Sequence, residues 1–144
     1  MAWRSISLSP PGLVLVLACA LAGGCRESPA MGAFASPGNP RTSPSGKYVL
    51  VVFDTSDGTA PVWGFRVEAA SGGTLAAPPE RLSQRHRTYL LWDAADRVWA
   101  YSGDVGTFYW ERDADGWRKH AWVDGGAAAP PELTALVPQL DRKR

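Results

Sequence analysis

The chain has 144 residues, enough for one domain rather than two. Its 15 Lys and Arg nearly balance 14 Asp and Glu, for a net charge of +1, which excludes the dominant basic face that nucleic-acid binding requires. With 45% hydrophobic and 20% charged residues the composition is not that of a disordered chain, and the 15 Gly and 12 Pro gather in particular stretches.

Residues 1–24 read as an export leader. Arg4 supplies a positive start, and residues 13–22 form an uncharged apolar run. Spanning a bilayer takes about 20 apolar residues, whereas an export signal uses about 7–15, so the run fits a cleaved signal peptide. It closes at Gly23-Gly24-Cys25, and Arg26-Glu27 follow at once. The stretch Leu21-Ala22-Gly23-Gly24-Cys25 resembles the lipobox of bacterial lipoproteins, with its Leu four residues before the Cys rather than the usual three. The resemblance implies that Cys25 is acylated, becomes the N-terminus and ties the chain to a membrane, because several acyl chains hold firmly where one binds marginally. It also implies a cell-envelope location. An Asp after the acceptor favours inner-membrane retention in this family; Arg26 there points to an outer membrane, facing the periplasm. Cys19 is a competing acceptor, with a shorter apolar run before it. Cleavage before Cys25 leaves a single Cys, so the exported part must be stable without an internal disulfide.

Residues 25–43 are expected to form a flexible, lipid-anchored linker. Pro29, Pro37 and Pro40, with Gly32, Gly38, Ser36 and Thr42, interrupt any apolar period, and the extended limit gives a reach of about 50 Å. Only residues 31–35 are apolar enough to pack as an edge strand instead.

A β domain is expected over 44–140, with a charged tail at 141–144. Residues 48–53 are a β-branched and aromatic run between turn residues, read as a strand buried on both faces. Residues 62–67 alternate: Trp63, Phe65 and Val67 face one way, Gly64, Arg66 and Glu68 the other. A short strand at Thr74-Leu75 precedes a Pro-bearing loop over 76–85. Further strands are predicted at 88–92, 97–101, 107–111 and 117–123, the last two joined by the hairpin turn Asp113-Ala114-Asp115-Gly116. Residues 131–137 read as a short helix, with Pro131 at its first position, Glu132 beside its positive end and Pro138 as its stop. The helix is expected over one edge or end of the sheet. These elements predict an all-β, mainly antiparallel domain: a small sheet or sandwich of about seven short strands with a C-terminal helix.

A 50-residue echo runs through it. Residues 47–54 and 97–104 each read basic residue, apolar strand, Asp, and each follows a polar turn. Ser43-Pro44-Ser45-Gly46-Lys47-Tyr48 resembles the turn that opens blades in β-propeller repeats, with Ser45 in place of the usual Asp. A propeller needs at least about four blades of about 40 residues, more than this domain holds, so the resemblance implies two blade-like units. Chance likeness between hairpins is the competing explanation.

Few constellations carry chemistry. His86 and His120 lie on separate elements and make no zinc site. Ser102 reads as a turn residue rather than a nucleophile paired with His120. Asp113-Ala114-Asp115-Gly116 opens like a calcium loop, with Asp124 at the twelfth position, but Arg118 stands where the loop requires Gly. No cofactor, metal or catalytic set is expected, which disfavours a small hydrolase. Nine aromatic residues fall between positions 89 and 122, read as core or as an exposed platform for a protein or glycan partner. The platform residues would be Trp99, Tyr101, Tyr109 and Trp110, with Asp104 and Glu111 as polar partners. The expected activity is therefore non-catalytic: an envelope protein that is structural or binds a macromolecule, with a carbohydrate or peptidoglycan module as the alternative.

Overall fold

A computed structural model of the chain describes residues 31–56, 58–122 and 126–140. Two antiparallel sheets account for most of it. The first has the order β2 (Arg41–Thr42), β3 (Tyr48–Ser56), β4 (Pro61–Ala69), β5 (Thr74–Ala76), with β6 (Leu82–Ser83) pairing the other end of the same edge of β4. The second has the order β1 (Phe34–Ala35), β7 (Thr88–Trp92), β8 (Val98–Ser102), β9 (Gly106–Asp113), β10 (Gly116–Ala121). The α-helix α1 (Pro131–Leu136) follows, and single 3-10 turns lie at Met31–Ala33 and Pro138–Leu140. The all-β, antiparallel architecture predicted from strand and turn spacing is the one observed.

The sheets pack face to face. Leu50, Val52, Phe65, Val67 and Leu82 of the first meet Ala35, Leu90, Trp92, Val98, Ala100 and Trp110 of the second. Successive side chains of a strand point to opposite faces, so this core uses every second residue. The expectation that residues 48–53 are buried on both sides is corrected: Leu50 and Val52 point inward, while Val49, Val51 and Phe53 are half-buried on the outer face. There they lie opposite Glu68, Arg66 and Gly64 of β4, so they share an outer surface with charged neighbours.

The second sheet is covered on both faces. Its outer face carries a cross-strand row, Phe34–Leu91–Trp99–Tyr109–His120, set by the register of β1, β7, β8, β9 and β10. Leu133, Val137 and Leu140 pack onto this side. The helix thus covers a sheet face rather than an edge or end, because Leu91 and Trp99 would otherwise lie open to water. Pro138 both ends the helix and opens the last 3-10 turn.

The solvated linker expected through residue 43 is corrected within the described residues. Phe34 and Ala35 are buried and pair with Leu91 and Leu90 at the free edge of β7. The chain then turns at Ser36 to Asn39, with Gly38 at φ +75°, and crosses to the first sheet as β2. Arg41 links both sheets: its Nε donates to the Phe34 carbonyl at 3.0 Å, and its carbonyl accepts from Trp92 Nε1 at 2.8 Å. One aromatic and one small residue, finishing the two faces of an exposed strand edge, outweigh the local Pro and Gly content. The loop expected over 76–85 also contains a paired segment, because Leu82 seals the stretch of β4 that β5 leaves uncovered.

Strands β2 to β5 and β7 to β10 each form a four-stranded meander, with β1 and β6 as additions. The turns that open the echoed segments touch: Ser45 N donates to Asp96 Oδ1 at 3.0 Å.

Candidate binding site

The four proposed platform residues and their two polar partners do not form one surface. Trp99 is fully buried on the outer face of the second sheet, and Trp110 is 4% exposed on the inner face, edge-on to Phe65 at 4.9 Å. That part of the platform reading is corrected: one sheet side cannot present both. Tyr101 is half-buried, stacked on Tyr89 at 5.9 Å, and its hydroxyl accepts from Gln139 Nε2 at 3.4 Å. Tyr109 stacks between Trp99 at 5.0 Å and His120 at 4.8 Å. Asp104 is exposed in the β8–β9 turn, at the far end of β8 from Glu111. Glu111 is exposed opposite Arg118 on the hairpin. Cys25, the expected lipidation site, and Asp124 lie outside the described residues. Ser102 is buried and donates to Asp104, not to His120, which stands on the other face of the sheet.

Asp93, immediately after β7, organises the turn that follows. It is 8% exposed. Its Oδ1 accepts from the backbone of Ala95 at 2.9 Å and Arg97 at 3.0 Å, and its Oδ2 accepts from Arg97 Nε at 2.6 Å and Trp99 Nε1 at 2.8 Å. One carboxylate therefore fixes the β7–β8 turn, the Arg97 guanidinium and the largest buried ring. Asp96, at φ +58°, occupies the left-handed region that Asp tolerates better than most residues. Burial opposes the charge of Asp96. Hydrogen bonds from the Ser45 side chain and backbone and from Ser43, with the charge of Lys47, outweigh that and hold its carboxyl below the ordinary value of 3.8. At the other end the Ser102 hydroxyl, against a smaller burial cost, lowers the Asp104 carboxyl, helped by nearby backbone N–H groups and His86.

Two grooves flank the β7–β8 turn. The first, of about 600 Å³, has apolar walls from Pro44, Trp92, Ala94, Ala129 and Pro130, with Asp93 and Glu132 at its margin. The second, of about 550 Å³, is polar and is lined by Tyr48, Asp96, Glu111 and Arg112. Ala95 and Arg97 line both. Arg97 lies over the Tyr109 ring at 5.5 Å, and Arg112 lies over Tyr48 at 5.6 Å while donating to its hydroxyl at 2.8 Å. Both guanidinium groups are thus held in place on aromatic faces. Such a pair of grooves suits recognition: an apolar side chain for one, a hydrogen-bonding group for the other. Neither His86 nor His120 lines them, and among the described residues no group of three His, Cys, Asp or Glu is placed to hold a metal.

A third cleft, of about 300 Å³, separates residues 76–80 from Trp110, Trp117 and Lys119. There Glu80 Oε1 pairs with Lys119 Nζ at 2.7 Å, while Glu80 Oε2 and Trp117 Nε1 are buried without a hydrogen-bond partner.

Of the proposed binding residues, only Glu111 lines the paired grooves, and Tyr109 reaches them only through Arg97. Sequence reasoning passed over Arg97, Arg112, Tyr48 and Pro130. Their positions relative to one another depend on how two meanders and a helix meet, and no local spacing encodes that. No protein-family model, curated protein or solved structure matches this chain.

Proposed function

We propose that this chain is a lipid-anchored cell-envelope protein, held by Cys25, whose β domain binds a protein partner without catalysing a reaction. The observation that carries the reading is Leu21-Ala22-Gly23-Gly24-Cys25 at the close of a short apolar run, with charge immediately after it. Arg26 favours an outer membrane, with the domain facing the periplasm. The paired grooves support the binding half of the reading, because Trp, Tyr and Arg are the residues that anchor protein interfaces. Trp99 and Trp110 face opposite sides of one sheet, so a protein partner is preferred to a glycan platform.

Labelled palmitate is expected in the wild-type chain and not in Cys25→Ala, with the label in the membrane fraction. A photo-crosslinking residue at Ala95, which is exposed and lines both grooves, should give a defined adduct that Arg112→Ala diminishes. The same probe at Val105, 48% exposed in the β8–β9 turn, should not form it. An unlipidated protein with its first Met intact overturns the anchor; identical adducts from both positions overturn the groove.

A further inference from the structure

We infer that the end of the sandwich bearing the paired grooves faces the lipid surface, so that their occupant is a partner carried in the same membrane. The inference rests on acylation at Cys25 and adds an orientation to it. Strand β1 pairs antiparallel to β7, Phe34 with Leu91 and Ala35 with Leu90, so the chain enters β1 from the Trp92 end of β7. Beyond Trp92 lies the turn that separates the grooves. The Ser43–Lys47 turn reaches the same end, through Ser45 and Asp96, and so does the β9–β10 hairpin turn, since Trp110 pairs with Val98 and Asp113 with Gly116. The β8–β9 turn lies at the other end, beside His86 and Arg87, with Gly103 N donating to the Arg87 carbonyl at 3.0 Å.

Chain length fixes the consequence. Six residues lead from Cys25 to Met31, and at about 3.3–3.6 Å each they span at most about 20 Å. Strand β3, with nine residues, is about 30 Å long. A tether shorter than the domain, attached at one end of it, cannot let the domain stand inverted with that end about 30 Å from the membrane, so the orientations left to it favour the tethered end toward the lipid. Had residues 31–43 been free, the reach would have been long enough to let either end approach. A partner in the same membrane then meets the grooves at a raised effective concentration, whereas one arriving from the aqueous side meets the opposite end first.

Paramagnetic broadening of amide signals tests this, using the acylated full chain in nanodiscs that carry a headgroup spin label. Broadening is expected at Gly46, Ala95, Asp96 and Ala114 and is expected to be weak or absent at Gly58, Gly103 and Val105. Inserting about 20 Gly and Ser residues between Arg26 and Glu27 should erase that contrast without altering the fold, since such a segment is a flexible coil. Uniform broadening, or stronger broadening at Gly103 and Val105, in the chain of natural length overturns the orientation while leaving the anchor standing. A protein that does not partition into the nanodiscs, and has no acyl group by mass spectrometry, overturns the anchor and the orientation with it.

Discussion

Asp93 shows how much one residue can organise here. Its four acceptor contacts tie a turn, a guanidinium and the Trp99 indole together below the grooves. Removing the carboxylate leaves the indole N–H buried and unpaired, which costs more than the bond itself contributes. Asp93→Ala is expected to destabilise the domain by about 3 kcal/mol in urea unfolding, with Asp93→Asn milder because one acceptor remains. A loss no larger than that of an exposed Asp, such as Asp115, would contradict this role. Asp96 and Asp104 make a different contribution. Both carboxyls ionise more readily in the folded chain than at the ordinary value of 3.8. The unfolded chain therefore binds more protons in the window between the two values. Their stabilisation is complete above that ordinary value and is lost as pH falls through the folded values. Asp96→Asn keeps the left-handed turn residue, and Asp104→Asn keeps the side-chain shape. The double variant is expected to lose stability less steeply than wild type between about pH 5 and pH 2, read from urea midpoints. An equally steep acid limb would place the relevant carboxylates elsewhere.

The helix and the first two strands act as covers. Helix α1 has six residues, too few to be stable alone in water, and has no side-chain cap. It is held by Leu133, which is fully buried against the outer face of the second sheet. Leu133→Ala is expected to cost about 2–4 kcal/mol and to raise amide exchange across residues 131–140 more than in β3 or β8. Uniform exchange would mean that the helix contributes no separate cover. On the outer face of the first sheet Phe53 plays a smaller part of the same kind. Its ring lies over Gly64, where an added Cβ would sit 2.6 Å from Cε2, and the absence of a side chain at 64 is what admits the ring.

At the scale of the whole molecule, the N-terminal segment joins the two meanders. It supplies β1 to one sheet and β2 to the other, and Arg41 bonds to both. The boundary at residue 44 that composition indicates therefore falls inside the packed unit. A fragment spanning 44–140 is expected to show a lower thermal midpoint and less dispersed amide signals than 31–140, and to self-associate through the bared edge of β7. Equal stability of the two fragments would make β1 and β2 dispensable. Residues 31–43, counted as linker by composition, are thus spent in the fold.

Local chemistry sufficed for the strands expected at 48–53, 62–67 and 88–92, the 113–116 hairpin turn and the helix expected at 131–137, which runs over Pro131–Leu136. Alternation, turn residues and a Pro at the first helical position act over a few residues, and their pattern survives in the sequence. The acylation proposed at Cys25 likewise rests on a short linear motif. What only the tertiary structure decided is which face each element covers. Phe34 is buried because β7 has a free edge, and Trp99 and Trp110 separate because adjacent strands place them on opposite sides of one sheet. Tyr48 meets Arg97 and Arg112 in one groove because two turns about fifty residues apart in the chain touch. Burial and convergence are properties of partners distant in sequence, and composition averages over them.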